Sequence, residues 1–288
     1  MLLRDFLPHP ALRELIQWYR ICHFEFGTNA IPVKHAIPKP ESILHFFVRD
    51  FWAIQKPGDK RYDQPSVVLT GQRTSLVYQF NGSSFLNVQI VFQPRGMHRV
   101  TGIPAHELVN QHIDATLVFG KAIEITLDRL QHAKGYDELL SIIQDFGFRL
   151  LRQSKTTCSP IDIVSQQMLR QGDGYSMDHL ADMACLSSKQ FQRKFYQGVG
   201  VNPKTYVRII RITKAYNMKN AYPHKDWLEI AIACGYCDYQ HLVKDYKDFT
   251  GATPTEFLRF ESMTPERMLG LTDILYKERA MGLEVSSK

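Results

Sequence analysis

The chain has 288 residues, room for about two domains at roughly 100–200 residues each. Its 44% apolar and 22% charged content argues against a wholly disordered protein, and 35 Lys and Arg against 29 Asp and Glu leave a net charge of +6, a modest lean towards an anionic partner. No stretch reaches the roughly 18 uncharged apolar residues of a membrane span, the opening MLLRDFLPHP lacks a signal peptide's apolar core, and five cysteines are too few for a disulfide framework, so a cytoplasmic protein with reduced thiols and no membrane contact is expected.

Residues 1–115 are rich in Phe, Pro and β-branched residues. Leu44, Phe46 and Val48 alternate over Ile43–Val48, a strand pattern. Ser75–Phe80 puts Leu76, Tyr78 and Phe80 on one side. Phe85–Phe92 puts Leu86, Val88, Ile90 and Phe92 on one side and Asn87 and Gln89 on the other. Both read as half-buried strands. Asn81-Gly82 between them suits a tight hairpin turn. Pro38, Pro40, Pro57 and Gly58 punctuate. The expectation is an antiparallel β domain, a barrel or a sandwich. The period then becomes helical: Phe119, Ile123, Leu127 and Leu130 predict a helix over 117–132, and Tyr136, Leu140, Ile143, Phe146 and Leu150 one over 136–152. Residues 153–157 are a polar linker, and from Cys158 to about Phe260 the chain reads as all helix.

That helical part contains a repeat. Leu180-Ala181 matches Ile230-Ala231, and Cys185-Leu186 matches Gly235-Tyr236, at an offset of 50. Past the turn the offset is 51: Ser187, Phe191, Phe195, Gly200, Pro203 and Tyr206 match Asp238, Leu242, Tyr246, Gly251, Pro254 and Phe257. The length change falls at Cys237, in a turn, so one structural unit is used twice. Asp226-Trp227-Leu228-Glu229 predicts a capping box, Ser176 a cap, and Ser187-x-x-Gln190 a second box. Two short helices joined by a tight turn make a helix-turn-helix, whose second helix fits the major groove of DNA. Charge agrees for the first unit. Between Ser187 and Lys225 stand nine cations and no acid: Lys189, Arg193, Lys194, Lys204, Arg208, Arg211, Lys214, Lys219 and Lys225. The second unit mixes Lys244 and Lys247 with Asp238, Asp245 and Asp248.

These residues resemble the AraC/XylS family of bacterial transcription regulators over about Ile161–Phe260. The most specific stretch runs from Ile230-Ala231 through Gly235-Tyr236 to Gly251-x-Thr253-Pro254-x-x-Phe257. Tyr206, Arg211 and Ala215 on a joining helix, about Pro203–Ala221, also fit. Cys185, Leu242, Tyr246 and Cys237 depart from the usual residues. The resemblance implies an α+β protein: an N-terminal antiparallel, cupin-like β barrel (1–115) that senses an effector, linker and dimerisation helices (116–157), an all-α domain of two helix-turn-helix units (158–262) and a tail (263–288). It further implies a sequence-specific, effector-controlled regulator of transcription that binds double-stranded DNA, acts on RNA polymerase if an activator, and can form a homodimer. Mapped by the motif, base-facing residues are Lys189, Gln192 and Arg193 in the first unit, with Lys194 beside them as a further DNA contact, and Tyr239, Gln240, Val243 and Lys244 in the second. Arg or Lys suits guanine, Gln adenine, and Val a thymine methyl. Lys194, Lys204 and Arg208 are expected at phosphates or in solvent. The segment Phe92-x-Pro94-x-Gly96, with Pro104 and Glu107, resembles the sensor half of a branch of such regulators.

The main rival is a metal-dependent cupin enzyme. The chain has no His-x-His, and His35, His45, His98, His106 and His112 are scattered. Cys234-x-x-Cys237 lacks a second pair. No Gly-rich phosphate loop occurs. No catalytic residue, metal or cofactor is therefore expected, and the effector residues stay unassigned. A β domain that serves assembly alone stays open as a third reading. Thr264-Pro265-Glu266 predicts a short tail helix with Leu271 and Leu275 on one face, packed back on the protein, with 284–288 disordered and no chemistry in the segment.

Overall fold

Alternating apolar residues in the first 115 positions become strands β1 (Leu2–Phe6), β2 (Ile16–Glu25), β3 (Lys34–Ala36), β4 (Ile43–Arg49), β5 (Trp52–Gln55), β6 (Tyr62–Asp63), β7 (Val67–Thr70), β8 (Val77–Asn81), β9 (Ser84–Phe92) and β10 (His112–Asp114). The structure is a computed structural model that describes the chain except residues 28–30, 51, 173, 273–275, 278 and 280–288. The strands form two antiparallel sheets, one of order β1-β2-β9-β4-β7-β10 and one of order β3-β8-β5-β6. The barrel is not closed. Phe24, Phe47 and Val68 of the large sheet pack against Trp52, Ile54 and Val77 of the small one.

β9 is buried on both sides rather than half-buried. Leu86, Val88, Ile90 and Phe92 face a core shared with helices, while Phe85, Asn87 and Gln89 on the other face are buried too, because the second sheet covers them. The hairpin expected at Asn81-Gly82 does not form: β8 lies in the small sheet and β9 in the large one. Gly82 answers a different need. A Cβ there would sit 1.8 Å from the carboxyl carbon of Asp50, whose carboxylate accepts the Ser84 N–H at 3.0 Å.

After α1 (Gly96–Thr101) come α2 (Thr116–Phe119), α3 (Lys121–Gln131) and α4 (Tyr136–Arg152), so the first predicted linker helix is broken at Gly120. Ile123, Leu130, Ile142, Ile143 and Phe146 close over Ile21, Leu44, Phe46, Val88 and Ile90. These helices thus share the hydrophobic core of the large sheet.

Then follow α5 (Pro160–Gln171), α6 (Met177–Met183), α7 (Ser188–Val199), α8 (Pro203–Ala221), α9 (Trp227–Ala233), α10 (Tyr239–Thr250), α11 (Pro254–Glu261) and α12 (Pro265–Met268). Ser176 caps α6 and the Ser187–Gln190 box caps α7. The box expected at Asp226 is half made. Asp226 accepts from Leu228 N–H at 2.7 Å, but Glu229 lies by Lys225 at 3.8 Å instead. The α6–α7 and α9–α10 pairs are the two repeats. Leu186 N–H donates to Ala181 O at 2.9 Å, and Tyr236 N–H to Ala231 O at 3.0 Å. The turn residue before each is left-handed: Cys185 at φ 55 and Gly235 at φ 82. Cysteine there carries a Cβ penalty of roughly 1–2 kcal/mol that glycine avoids. Each unit has its own core, Phe191, Phe195, Leu180 and Tyr206 in one and Leu242, Tyr246, Ile230 and Phe257 in the other. α8 joins them, giving Ile210 to the first and Ile209 and Ile212 to the second.

The two halves touch at both units. Arg95 pairs with Asp162 at 2.9 Å and also donates to the Lys194 carbonyl. His106 stacks on Tyr196 at 4.8 Å. At the second unit His35 stacks on Phe260 at 4.7 Å and Lys34 pairs with Glu266. The tail does start a helix at Thr264, and Leu271 packs on the sheet-to-sheet core. Leu275 and residues 284–288, also subjects of expectation, lie outside the described residues.

Candidate nucleic-acid interface

Helix α7 is set by its buried aromatics. Phe191 and Phe195 are 0% exposed and face the unit's core, so the opposite side is delivered to solvent. Lys189, Gln192, Arg193 and Lys194 all lie exposed there. Leu242 and Tyr246 fix α10 in the same way, with Gln240 and Lys244 exposed and Tyr239 and Val243 half-buried. Among the described residues none of these eight side chains is engaged in a hydrogen bond or ion pair within the chain. Two cation- and amide-bearing helix faces are thus left without partners.

Not all of the nine clustered cations share that freedom. Arg208, expected at phosphate or in solvent, instead donates from Nε to Asp245 at 2.8 Å and from Nη2 to Asp248. Burial works against its charge, but these two carboxylates hold its pKa above the ordinary value. Asp245 also accepts from the Tyr236 hydroxyl at 3.0 Å, and burial with that carboxylate pushes the Tyr236 phenol well up. Arg211 lies 3.8 Å from Asp245 and over the Tyr236 ring at 4.7 Å. Lys219 is buried and donates to the carbonyls of Pro223 at 2.8 Å and Lys225 at 2.6 Å, tying the loop after α8. With Lys225, which lies 3.8 Å from Glu229 of α9, four of the nine serve the second unit's own structure.

A second site was not foreseen from the sequence. Between the two sheets and the helical half lies a cavity of about 100 Å³. On the β half it is lined by strand residues Arg20, His45, Thr70, Asn87, Gln89 and His112 and by Lys39, Glu41 and Arg73 of the loops between strands, and on the other side by Tyr216 of α8 with Glu266, Tyr276 and Arg279 of the tail. The tail thus contributes to the cavity wall. Arg20 forks onto Asp5 at 2.6 Å and Glu41 at 3.0 Å, and Arg279 reaches the other oxygen of Asp5 at 2.7 Å. Desolvation opposes ionised Glu41, yet Arg20 holds its pKa far below the carboxylate range. Burial, with His112 and Arg73 nearby, pushes His45 well down; burial, then Arg73, pushes His112 down to about 3. Both rings are neutral at pH 7. Burial first, then Arg279, lowers Lys39 to about 7, and burial lowers Arg73 to about 10. Deeper in, Tyr216 donates to Glu261, which also accepts from Tyr276 at 3.2 Å. No cluster of three or more His, Cys, Asp or Glu arranged to hold a metal occurs among the described residues. Likewise no described helix is long and apolar enough to cross a membrane.

Comparison with known proteins points to the same helical segment. Residues 180–259 match the helix-turn-helix domain family. Over 79 residues the chain is 30% identical to the HTH-type transcriptional regulator ArgR of Pseudomonas aeruginosa, covering 27% of this chain and 24% of that protein, so the chain spans about a quarter of the length of the curated relative it matches. Among solved structures, ToxT from Vibrio cholerae is similar over 84% of this chain and 98% of its own, at 10% identity and a TM-score of 0.45. The AraC-like transcriptional activator CuxR is similar over 69% of this chain and 81% of its own, at 12% identity and a TM-score of 0.27.

Proposed function

From the premise that the C-terminal part of this chain is an AraC/XylS-type double helix-turn-helix domain, we propose that the chain is a sequence-specific regulator of transcription that reads DNA with α7 and α10 and is controlled by a small molecule bound in its β half. The observation that carries this reading is the pair of unpartnered faces on the second helix of each unit. Arg193 and Gln192 read bases, as do Tyr239, Gln240, Val243 and Lys244, while Lys189 and Lys194 divide between base edges and phosphates. The two helices enter successive major-groove segments about one helical turn apart. The first unit supplies more of the electrostatic affinity. It keeps Lys189, Arg193 and Lys194 free, whereas Arg208 and Arg211 of the joining helix α8 are turned onto Asp245 of the second. The cavity favours a sensor role for residues 1–115 over one of assembly alone. Residues 116–157 link the halves, and exposed Leu117 and Ile125 on α2 and α3 provide a face for a second copy. RNA polymerase is the further partner if the protein activates.

The test is selection of DNA from a random pool by the full chain, with binding repeated at two salt concentrations. The expected result is a two-part site with centres about 10 base pairs apart, weakened by both Arg193→Ala and Lys244→Ala. Uniform, salt-labile binding with no enriched sequence, with and without candidate ligands, contradicts base readout.

A further inference from the structure

The interdomain cavity has more positive charge than its own carboxylates neutralise. Lys34 is paired with Glu266, and Arg20 and Arg279 are paired with Asp5 and Glu41. Two cations remain. Among the described residues Arg73 reaches only backbone carbonyls, those of Ala36 at 3.1 Å and Ile37 at 3.0 Å. The Lys39 ammonium has no acceptor among the described residues; the Tyr216 ring lies 5.8 Å away. Both are half-buried, and the carboxylates that act on them, Glu41 on both and Glu261 and Glu266 on Lys39, are already engaged by Arg20, Tyr216 and Lys34; surplus positive charge of this kind costs stability, so a site that keeps two such cations has a use for them.

Orphaned polar atoms mark the same place. Thr70 Oγ1, Asn87 Oδ1 and His112 Nδ1 line the cavity and lack any hydrogen-bond partner. Thr70 and Asn87 are each 3% exposed, so whatever satisfies them must enter the cavity. Such atoms are rare in a finished core and fit a bound molecule that brings hydroxyl or carbonyl groups.

The two spare cations are held by different parts of the wall. The Arg73 guanidinium sits on the Ala36 and Ile37 carbonyls of the β half. The Lys39 ammonium lies by the Tyr216 ring of α8. A compact phosphate would suit a single cradle of backbone N–H groups. Separated cations with side-chain hydrogen-bonding groups between them suit two separated carboxylates.

Resting on the effector-binding reading above, we infer that the cavity binds a small hydroxy- or oxo-dicarboxylate, one carboxylate on Arg73 and the other on Lys39. The ligand's hydroxyl or keto oxygen meets Thr70, Asn87 and His112. Because the Lys39 end is walled by Tyr216 of α8 and by Tyr276 and Arg279 of the tail, the same molecule touches both halves of the protein. A short ligand of this kind suits a cavity of about 100 Å³.

The experiment is thermal unfolding of the full chain with malate or 2-oxoglutarate, against lactate, glycerol and inorganic phosphate at matched ionic strength. A dicarboxylate at a hundredfold excess over its Kd should raise Tm by roughly 5–10 °C. Lactate should do less, and glycerol and phosphate nothing. Lys39→Met and Arg73→Met should each weaken dicarboxylate binding at least about tenfold, the loss of one charge-assisted contact. Without ligand, Lys39→Met should melt no lower than the parent, since it removes a half-buried amine that has no acceptor among the described residues; this separates a lost site from a lost fold. Three outcomes would overturn the inference: no shift with either dicarboxylate up to about 10 mM, above ordinary small-ligand affinities; equal shifts with phosphate; or unchanged shifts in both variants. None of these touches the DNA selection, so a protein with an enriched DNA site and no dicarboxylate response loses this inference and keeps the DNA-reading proposal.

Discussion

Replacing Glu261 with Gln is expected to remove a pH-dependent weakness where the tail meets the helical half. Glu261 is 1% exposed. One of its oxygens accepts from Tyr216 and Tyr276, and the other has no partner. Burial first, and then the neighbouring charge of Glu266, raise its pKa from 4.5 to about 7. The folded state therefore holds this proton more tightly than the unfolded chain does. The resulting stabilisation is complete below pH 4.5 and is lost as pH rises through 7. At about 1.4 kcal/mol per tenfold, the interval corresponds to roughly 3 kcal/mol. Glutamine keeps the shape and the acceptor but cannot ionise. Urea unfolding of the full chain and of Glu261→Gln, from pH 5 to pH 8, should show the variant gaining about 2–3 kcal/mol relative to the parent across that range. Curves that run parallel would show Glu261 ionised throughout and would refute the argument.

Arg193→Ala should lose roughly 1–3 kcal/mol at one base position, while Lys194→Ala should weaken all sequences alike and lower the salt slope; competition binding against single-base operator variants separates them. Phe195→Ala empties a site that is 0% exposed and packed on Phe191 and Tyr206, at a cost of roughly 3–5 kcal/mol in chemical denaturation; a loss below about 1 kcal/mol would contradict the first unit's core. Arg95→Ala strands a carboxylate, Asp162, whose side chain is 2% exposed, but the Ser159 N–H still serves it at 2.9 Å. The cost should be about 2 kcal/mol, below the 3–5 of a fully orphaned charge, with faster hydrogen exchange in α7 as its signature.

The helical half was legible because its signals are local. Caps at Ser176 and Ser187, apolar residues at helical spacing and a glycine at each end fall within a dozen residues of one another, and a repeat displays them twice. Fates decided by distant partners were not legible. Arg208 read as a free cation because Asp245 lies 37 residues away in sequence. Asn81-Gly82 read as a hairpin because turn chemistry does not say which sheet the next strand joins. Asn87 and Gln89 read as a solvent face because the alternation is the same whether water or a second sheet lies beyond. The cavity was hidden for the strongest form of this reason. Lys39, Arg73, His112 and Arg279 belong to four separate segments, and only packing brings them to one space. For the exposed faces of α7 and α10, the sequence supplied the candidates and the structure supplies their exposure; their contacts with DNA await the selection experiment.

The tail's place in the cavity wall also governs how the protein can be made and handled. During synthesis, residues 1–115 leave the ribosome well before Tyr216, Glu266, Tyr276 and Arg279 exist, so the sheets can fold while the cavity still lacks its far side. An excised β half carrying residues 1–155 would remain in that unfinished state: Asp5 would lose Arg279, Lys34 would lose Glu266, and the space would open to water. Ligand searches on such a fragment would report on a half-built cup. A purification tag fused just after residue 279 would crowd the same wall. In this chain the β half and the tail build the cavity together, so its binding properties belong to a piece that carries both.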